Sequence, residues 1–377
     1  MRSLRVAVTR DALINALQHV LKAVSANSPM PILKGIHIQA IANGLIFTAS
    51  NTSMTIQYTI SPNSSSLSVL ENGGMVVPAR YFNEIIRKLD DGFITLEIQE
   101  HFILTITTGI SRIRLCGMDC AEFPSINRSE NSPVHKYRMN NALLKSSIGQ
   151  VTTAASVSDA RPVLTGVYFE YTDHRFKLTA TDGIRFASRT LHIEEPIDTG
   201  IHVIIPAKNL NEIAKMLSAE DETTDIEVDA NRIRFIANEL QVQSVLIGGA
   251  FPSVNIPQLY SSEIMMETAC VLRAVERVFV LAGASIIRLA AASGKLDISS
   301  TTAEVGDIRD EVPLMERSGE DFTISLNGKL LMDILRCMDG EYVRLRFAGK
   351  MSPVVILPMD ESSSSTLFLI TPVRTAN

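Results

Sequence analysis

The chain carries one pattern three times over. Ser25–Gly35, which contains Pro31-Ile32-Leu33-Lys34-Gly35, matches Ser156–Gly166, which contains Pro162-Val163-Leu164-Thr165-Gly166, at a spacing of 131 residues. The same spacing carries Leu45-Ile46-Phe47-Thr48-Ala49-Ser50-Asn51 onto Phe176-Lys177-Leu178-Thr179-Ala180-Thr181-Asp182. A second marker appears in all three copies: Pro78–Leu89, then Pro206–Leu217 128 residues later, then Asn327–Met338 a further 121 residues on. Phe123-Pro124-Ser125-Ile126 and Phe251-Pro252-Ser253-Val254 close the first two copies. Fixed-period similarity marks a chain built from one supersecondary unit. We therefore divide the 377 residues into three homologous units, 1–127, 128–256 and 257–377.

Each unit reads as α+β. A first helix is expected from the stripe Leu13, Leu17, Val20, Leu21 and Val24, with Thr9 as N-cap. Leu144, Ile148, Val151 and Ala155 take the matching places in the second unit; Leu272, Val275, Phe279 and Ala282 take them in the third, in a looser register. Strands follow, then a second helix, then further alternating segments such as Phe93–Ile98, Asp225–Val228 and Tyr342–Phe347.

The second helix carries the most information. Phe82, Ile85, Ile86 and Leu89 form its apolar face in the first unit, Leu210, Ile213 and Leu217 in the second, and Leu331, Ile334, Leu335 and Met338 in the third. Off that face lie Arg80, Arg87 and Lys88, then Lys208 and Lys215, then Lys329 and Arg336. Glu84, Glu212 and Asp333 stand four residues after the first cation and can pair with it, in the weaker i, i+4 orientation. An exposed helix face commonly carries charge. Repeated cations in a chain of net charge −6 point instead to helices offered to a polyanion, because phosphates attract Lys and Arg without regard to base sequence.

Catalysis finds little support. Seven scattered histidines show no metal-ligand spacing, and no phosphate-binding glycine loop precedes a Lys-Ser or Lys-Thr pair. Four cysteines, with Cys116 and Cys120 the only close pair, suggest buried or half-buried thiols rather than disulfides or zinc. Thr181-Asp182-Gly183-Ile184-Arg185 offers a carboxylate beside an arginine, but Asp-Gly also makes a strand-to-strand turn. The apolar run Val278–Ile287 is too short to cross a bilayer, and the N-terminus does not read as a signal peptide. A cytoplasmic binding protein without metal or cofactor is the expectation.

The segment Ala180–Ala187, the Phe-Pro segments, the Pro-Ala-Arg and Pro-Ala-Lys helices and the ending Ile370-Thr371-Pro372-Val373-Arg374 resemble the β subunit of bacterial DNA polymerase III, the sliding clamp, over the whole chain. The resemblance implies three tandem clamp domains, each with two helices packed on antiparallel sheets, in a head-to-tail ring dimer around duplex DNA. It implies a processivity factor without catalysis. Partners would be the replicative polymerase, the clamp loader and repair proteins that carry a clamp-binding motif. Contacts to the DNA backbone, many through water, would let the ring slide.

By position, the resemblance places a partner-peptide pocket at Leu164, Thr181, Gly183, Arg185, Phe186, Pro252, Ile256, Asn327, Met351, Pro353, Leu369, Ile370, Pro372, Val373 and Arg374. Phe186, Leu164, Ile370 and Val373 would supply apolar surface, with Arg185 and Arg374 at the rim. The DNA-facing cations would be the seven named above, and the ring joint would set Ile113 and Leu115 against Val280 and Leu281. Departures from the family are Asn27 in place of a loop arginine, Ile184 and Phe186 in the pocket, and a tail of Thr375, Ala376 and Asn377 past the Pro-x-Arg ending. A diverged second clamp copy with a specialised repair role is the alternative. Two rivals of other classes stay open on the residues: a hydrolase using Asp182 and Arg185, and a repeat-built interaction module that never meets DNA.

Overall fold

The computed structural model describes residues 4–25, 28–62, 65–99, 102–124, 135–172, 174–193, 200–218, 223–302, 304–359 and 365–374. The expected boundary at 127, Asn27, and Thr375 to Asn377 lie outside them.

Elements follow one order three times, except that the described residues of the second repeat hold four strands between the two helices where the first and third hold five. The first repeat runs β1 (Arg5–Thr9), α1 (Arg10–Val20), β2 (Gly35–Ile41), β3 (Gly44–Ser50), β4 (Met54–Ile60), β5 (Leu67–Glu71), β6 (Gly73–Pro78), α2 (Ala79–Lys88), β7 (Phe93–Gln99), β8 (Ile103–Thr108) and β9 (Ser111–Cys116). The second runs β10 (His135–Asn140), α3 (Asn141–Thr152), β11 (Gly166–Thr172), β12 (Arg175–Thr181), β13 (Arg185–His192), β14 (Ile201–Pro206), α4 (Ala207–Met216), β15 (Thr223–Val228), β16 (Arg232–Ala237) and β17 (Leu240–Val245). The third runs β18 (Ser262–Glu267), α5 (Thr268–Phe279), β19 (Ile286–Ala292), β20 (Lys295–Thr302), β21 (Gly306–Pro313), β22 (Glu316–Gly319), β23 (Phe322–Asn327), α6 (Gly328–Cys337), β24 (Tyr342–Phe347), β25 (Val354–Met359) and β26 (Ser365–Ile370).

The Pro-x-x-x-Gly markers have a steric cause. Pro31–Lys34 and Pro162–Thr165 each form a short 3₁₀ turn, which hands the chain to a strand at Gly35 or Gly166. A Cβ at Gly35 would stand 2.4 Å from Val76 Cγ1, and one at Gly166 would stand 2.4 Å from Ile204 Cγ2. Only glycine lets those backbones approach so closely.

The helices bury most of the stripes expected of them, but Ile85 and Leu89 are half-buried, and Leu21, Val24 and Ala282, also half-buried, lie beyond the ends of α1 and α5. In α5 the buried residues are Val271, Ala274, Val275 and Val278, so Leu272 and Phe279 lie off the stripe. Thr9 holds the N-cap position of α1 with extended backbone, but its hydroxyl makes no capping bond. The apolar run Val278–Ile287 divides between the end of α5, a turn and the start of β19. Among the described residues no helix is long and apolar enough to cross a membrane.

The chain divides into two compact units, Met1–Leu143 with Glu212–Leu246, and Leu144–Asn211 with Ile247–Asn377, so the second repeat is shared between them. The first unit holds a five-stranded sheet, β5-β1-β7-β8-β9, and an eight-stranded one, β10-β15-β16-β17-β4-β3-β2-β6. The second holds a nine-stranded sheet, β14-β11-β12-β13-β26-β25-β24-β18-β22, and a four-stranded one, β21-β20-β19-β23. All named ladders are antiparallel. Each large sheet is a fusion. The third strand after one repeat's first helix pairs with the third strand after the next repeat's second helix: β4 with β17, and β13 with β26. The strands equivalent to these, β21 and β9, end their own sheets.

Candidate functional site

The tightest local structure is the turn between β12 and β13. Gly183 has φ +90°, a conformation that glycine adopts without a Cβ clash. Asp182 Oδ1 accepts bonds from the amides of Ile184 (2.8 Å) and Arg185 (2.9 Å). Thr181 Oγ1 donates to the Arg185 carbonyl at 2.7 Å and accepts from the Gly183 amide. Arg185 Nε reaches Asp182 Oδ2 at 3.1 Å, and its Nη1 reaches Asp333 Oδ2 at 3.2 Å. Both oxygens of Asp182 are thus engaged in shaping the turn and holding Arg185. The Asp-Gly segment is the turn its composition allowed, and the carboxylate is not presented for acid–base chemistry.

This turn overhangs a cavity of about 310 Å³, a size that suits a few side chains of a peptide. Leu164, Thr181, Gly183, Arg185, Phe186, Pro252, Pro353 and Leu369 all line it, as expected. Its floor is firm, because Phe186, Val355 and Leu369 form a buried cluster braced by Val254, Ile256 and Tyr260. Met351, Pro372, Val373 and Arg374 line a second, larger cavity that shares Thr371 with the first.

Four expected roles change. Ile370 is fully buried, pairs with Arg185 and Val354, and offers no surface to a ligand. Asn327 lines neither cavity; its Oδ1 caps α6 by accepting from the Lys329 and Leu330 amides. Arg185 is half-buried and bound to two carboxylates rather than standing at the rim. Ile256 braces the floor without lining the cavity. Ile184 lines the first cavity, in keeping with its reading as a departure within the pocket, and Arg161, Ser253, Val254, Asn255 and Thr371 line it beyond the expected set. Ile184 is a large apolar side chain, 53% exposed beside Gly183.

A comparison within the chain explains why the cavity floor is apolar here. Thr55 and Phe186 hold the same place in their hairpins, opposite Ser50 and Thr181. Gln243 and Leu369 hold the same place in theirs, opposite Arg234 and Val355. One fused ladder therefore pairs Thr55 with Gln243 and the other pairs Phe186 with Leu369. The backbone arrangement is the same, and only the second carries apolar side chains at this point.

The seven helix cations, Arg80, Arg87, Lys88, Lys208, Lys215, Lys329 and Arg336, are all exposed. Arg80 pairs with Glu84 at 3.2 Å, as the spacing allowed. Glu212 pairs instead with Lys215, and Asp333 with Arg185, which leaves Lys208 and Lys329 without the expected partners. Arg336 pairs with Glu276 of α5 at 2.7 Å. Such exposed pairs are weak and yield readily to a stronger anion.

At the sheet ends, Ile113 and Leu115 are half-buried on β9 and alternate with exposed Arg112, Arg114 and Cys116. The exposed Cys116 thiol departs from the buried or half-buried expectation. Val280 and Leu281 fall in the turn after α5 rather than on the helix; Val280 is 78% exposed, while Leu281 is half-buried, its carbonyl accepting a bond from Thr302.

Three family descriptions match the chain in order: the N-terminal domain of the DNA polymerase III beta subunit over residues 4–127, its central domain over 138–253 and its C-terminal domain over 254–373. A beta sliding clamp of Staphylococcus epidermidis is 34% identical over 376 residues, with 98% of both chains covered. That of Bacillus subtilis is 32% identical over 382 residues, covering 99% of this chain and all of the relative. The solved Bacillus subtilis DNA polymerase sliding clamp superposes with a TM-score of 0.94 at 31% identity, over 99% of this chain and all of that one.

Proposed function

This chain belongs to the DNA polymerase III beta subunit family, and from that membership we propose that it is a sliding clamp, a processivity factor that encircles duplex DNA and tethers the replicative polymerase. It works without catalysis or cofactor, in the cytoplasm, as three clamp domains at 1–127, 128–256 and 257–377. Two copies close head to tail into the ring.

One observation carries this reading: two strands that end their sheets are the repeat equivalents of strands that pair with one another inside the chain. β4 joins β17 and β13 joins β26, while the equivalent β21 and β9 stand at the ends of their sheets. An exposed strand edge is a template for another strand. Within one chain the repeat makes the joint twice; a third and fourth arise when β21 of one copy meets β9 of a second. A heterologous contact of this kind yields a closed ring when its rotation closes.

The register follows from the repeats. Asp307 stands opposite Thr301 as Phe186 stands opposite Thr181, and Arg114 stands opposite Thr105 as Leu369 stands opposite Val355. The joint then pairs Asp307 with Arg114 of the other copy. Next to it, the position of the observed pairs Ile56–Val242 and Ala187–Phe368 is taken by Ile308 and Ile113. Ile308 is a joint residue that the sequence reading missed; Leu281 sits behind it, tied to β20.

The exposed helix cations supply weak, sequence-independent attraction for phosphates, and closure supplies retention. The first cavity takes the apolar residues of peptides from the polymerase, the clamp loader and repair proteins, in keeping with its apolar floor. The test is retention. Protein placed by a clamp loader on nicked circular DNA is expected to stay and to be lost when the circle is linearised. Equal retention on linear and circular DNA refutes encirclement.

A further inference from the structure

We propose that Tyr168 is a positioning residue for the first cavity: bonded to His202, it holds Phe251 and so fixes the wall that follows Phe251 in the chain. The inference rests on the reading of that cavity as the partner site. Pro252, Ser253, Val254 and Asn255 form the wall. They belong to the connector between the second and third repeats, which has neither helix nor strand from 246 to 261. Backbone bonds tie its ends, from the Ile247 amide to the Ile204 carbonyl and from the Ser261 amide to the Phe347 carbonyl. Among the described residues no backbone-to-backbone bond holds residues 248–260 between them. Side chains therefore set where the wall stands. Towards Ser261, Val254, Ile256 and Tyr260 rest on the cavity floor, and the Arg346 guanidinium lies over the Tyr260 ring at 5.2 Å. The other end depends on Phe251.

Phe251 stacks on Tyr168 with ring centroids 5.3 Å apart and planes 8° from parallel. Tyr168 lies on β11 opposite Ile204 of β14, so His202 is its diagonal neighbour on the same face. The Tyr168 hydroxyl and His202 Nδ1 are bonded at 2.8 Å, and the two rings stack at 6.1 Å. The bond orients the tyrosine ring, and the ring holds Phe251 directly before Pro252. The first repeat shows what this brace accompanies. His37 stands opposite Val76 as Tyr168 stands opposite Ile204, and it meets Phe123, but with the rings tilted by 44°. The place of His202 is taken by Gly74, which has no ring to offer. The joint in that repeat is the polar Thr55–Gln243 pair. The full brace stands where the floor beside the connector is apolar and a bound side chain would press on the wall.

The test is calorimetric titration of an acetylated, amidated hexapeptide of Leu, Phe and Ser into the full-length protein and its variants Y168A, Y168F, H202A, F251A and Y168A/F251A. A stacked aromatic pair is worth about two- to tenfold in an equilibrium constant. Y168A is expected to weaken the peptide by that factor, Y168F to recover most of the loss, and H202A to lose a smaller part. Because Tyr168 acts through Phe251, Y168A/F251A should bind no more weakly than F251A. Thermal melts verify that each variant folds. Wild-type affinity in Y168A and H202A overturns the proposal and leaves the cavity's role standing. Losses that add in Y168A/F251A overturn it as well, because Tyr168 then acts by another route. Should Y168A fail to fold, H202A decides, because His202 is exposed, and wild-type affinity there overturns the proposal. Failure of the wild type to bind the hexapeptide overturns both readings.

Discussion

Reversing Arg114 should split the ring, and reversing Asp307 with it should restore the ring. The perturbations are Arg114→Asp, Asp307→Arg and the double swap. Their magnitude follows from the two joints seen within the chain. There the equivalent side chains are Thr55 and Gln243 at 8% and 7% exposure, and Phe186 and Leu369 at 5% and 3%. The Asp307–Arg114 pair is therefore expected to be more than nine-tenths buried once two copies meet. Breaking one partner of a desolvated, hydrogen-bonded charge pair costs about 2–5 kcal/mol. The ring holds this pair at both of its joints, so at 1.4 kcal/mol per factor of ten the dimer weakens about a thousand-fold or more. The same register sets Arg112 opposite Arg309, but Arg309 is already held by Asp297 at 2.9 Å, so Arg114 and Asp307 carry the attraction. Sedimentation velocity over a range of concentrations reads the outcome, with circular dichroism to verify that each single variant folds. Each single variant should run as a monomer where the wild type is a dimer, and the swap should recover most of the loss. Folded single variants that dimerise like the wild type, or a swap that recovers nothing, would refute the edge pairing.

The partner cavity is best probed through Ile184, which is half exposed. Ile184→Ala is expected to weaken an apolar peptide by about 1–2 kcal/mol in calorimetry with thermal stability unchanged. Phe186→Ala, by contrast, opens the buried cluster and should cost about 3–5 kcal/mol of stability, visible as a lowered melting temperature. Deleting residues 372–377 is expected to weaken peptide binding with the dimer intact, whereas deletion from Ile370 removes a fully buried strand residue and should destabilise the fold. Burial pushes the Cys337 thiol up to about 11, which keeps it protonated at neutral pH. Iodoacetamide at pH 8 should therefore label exposed Cys116 first, with Cys337 reacting only as the pH approaches that value, as peptide mass mapping would report.

The repeat was legible because its markers are local. A glycine that must sit against a neighbouring strand, and an Asp-Gly turn that closes its own hydrogen bonds, depend on a few consecutive residues. What was misread depends on pleat and pairing. Leu369 and Ile370 are adjacent and equally apolar, but strand side chains alternate faces, so only Leu369 reaches the cavity. Asn327 falls where a groove residue was expected, yet the orphan amides at the start of α6 claim its oxygen. Arg185 was placed at the rim because Asp333 lies 148 residues away, and nothing local announces that partner. In the proposed ring Ile308 would meet a strand of another copy, and nothing local announces such a partner.

The chemistry at the three equivalent joint positions follows from when each joint forms. The Thr55–Gln243 and Phe186–Leu369 ladders close inside one chain as it folds and are then permanently covered. Their side chains are free to be polar in one case and apolar in the other, and the apolar one doubles as a cavity floor. β9 and β21 have no such cover. Each must stay soluble on the free chain, and in a clamp the joint must also open for loading. Natural edge strands meet that demand with charge. Arg112 and Arg114 on β9, and Asp307, Arg309 and Glu311 on β21, are exposed in this way, while half-buried Ile113 and Ile308 would make one apolar pair in the proposed ring. A charged ladder around a small apolar centre resists pairing with arbitrary strands, favours the complementary edge and weakens as salt rises. Replacing Asp307 and Arg114 with Phe and Leu, the pair at the equivalent joint, should then tighten the dimer and slow its opening by a clamp loader, at the expense of aggregation of the free chain.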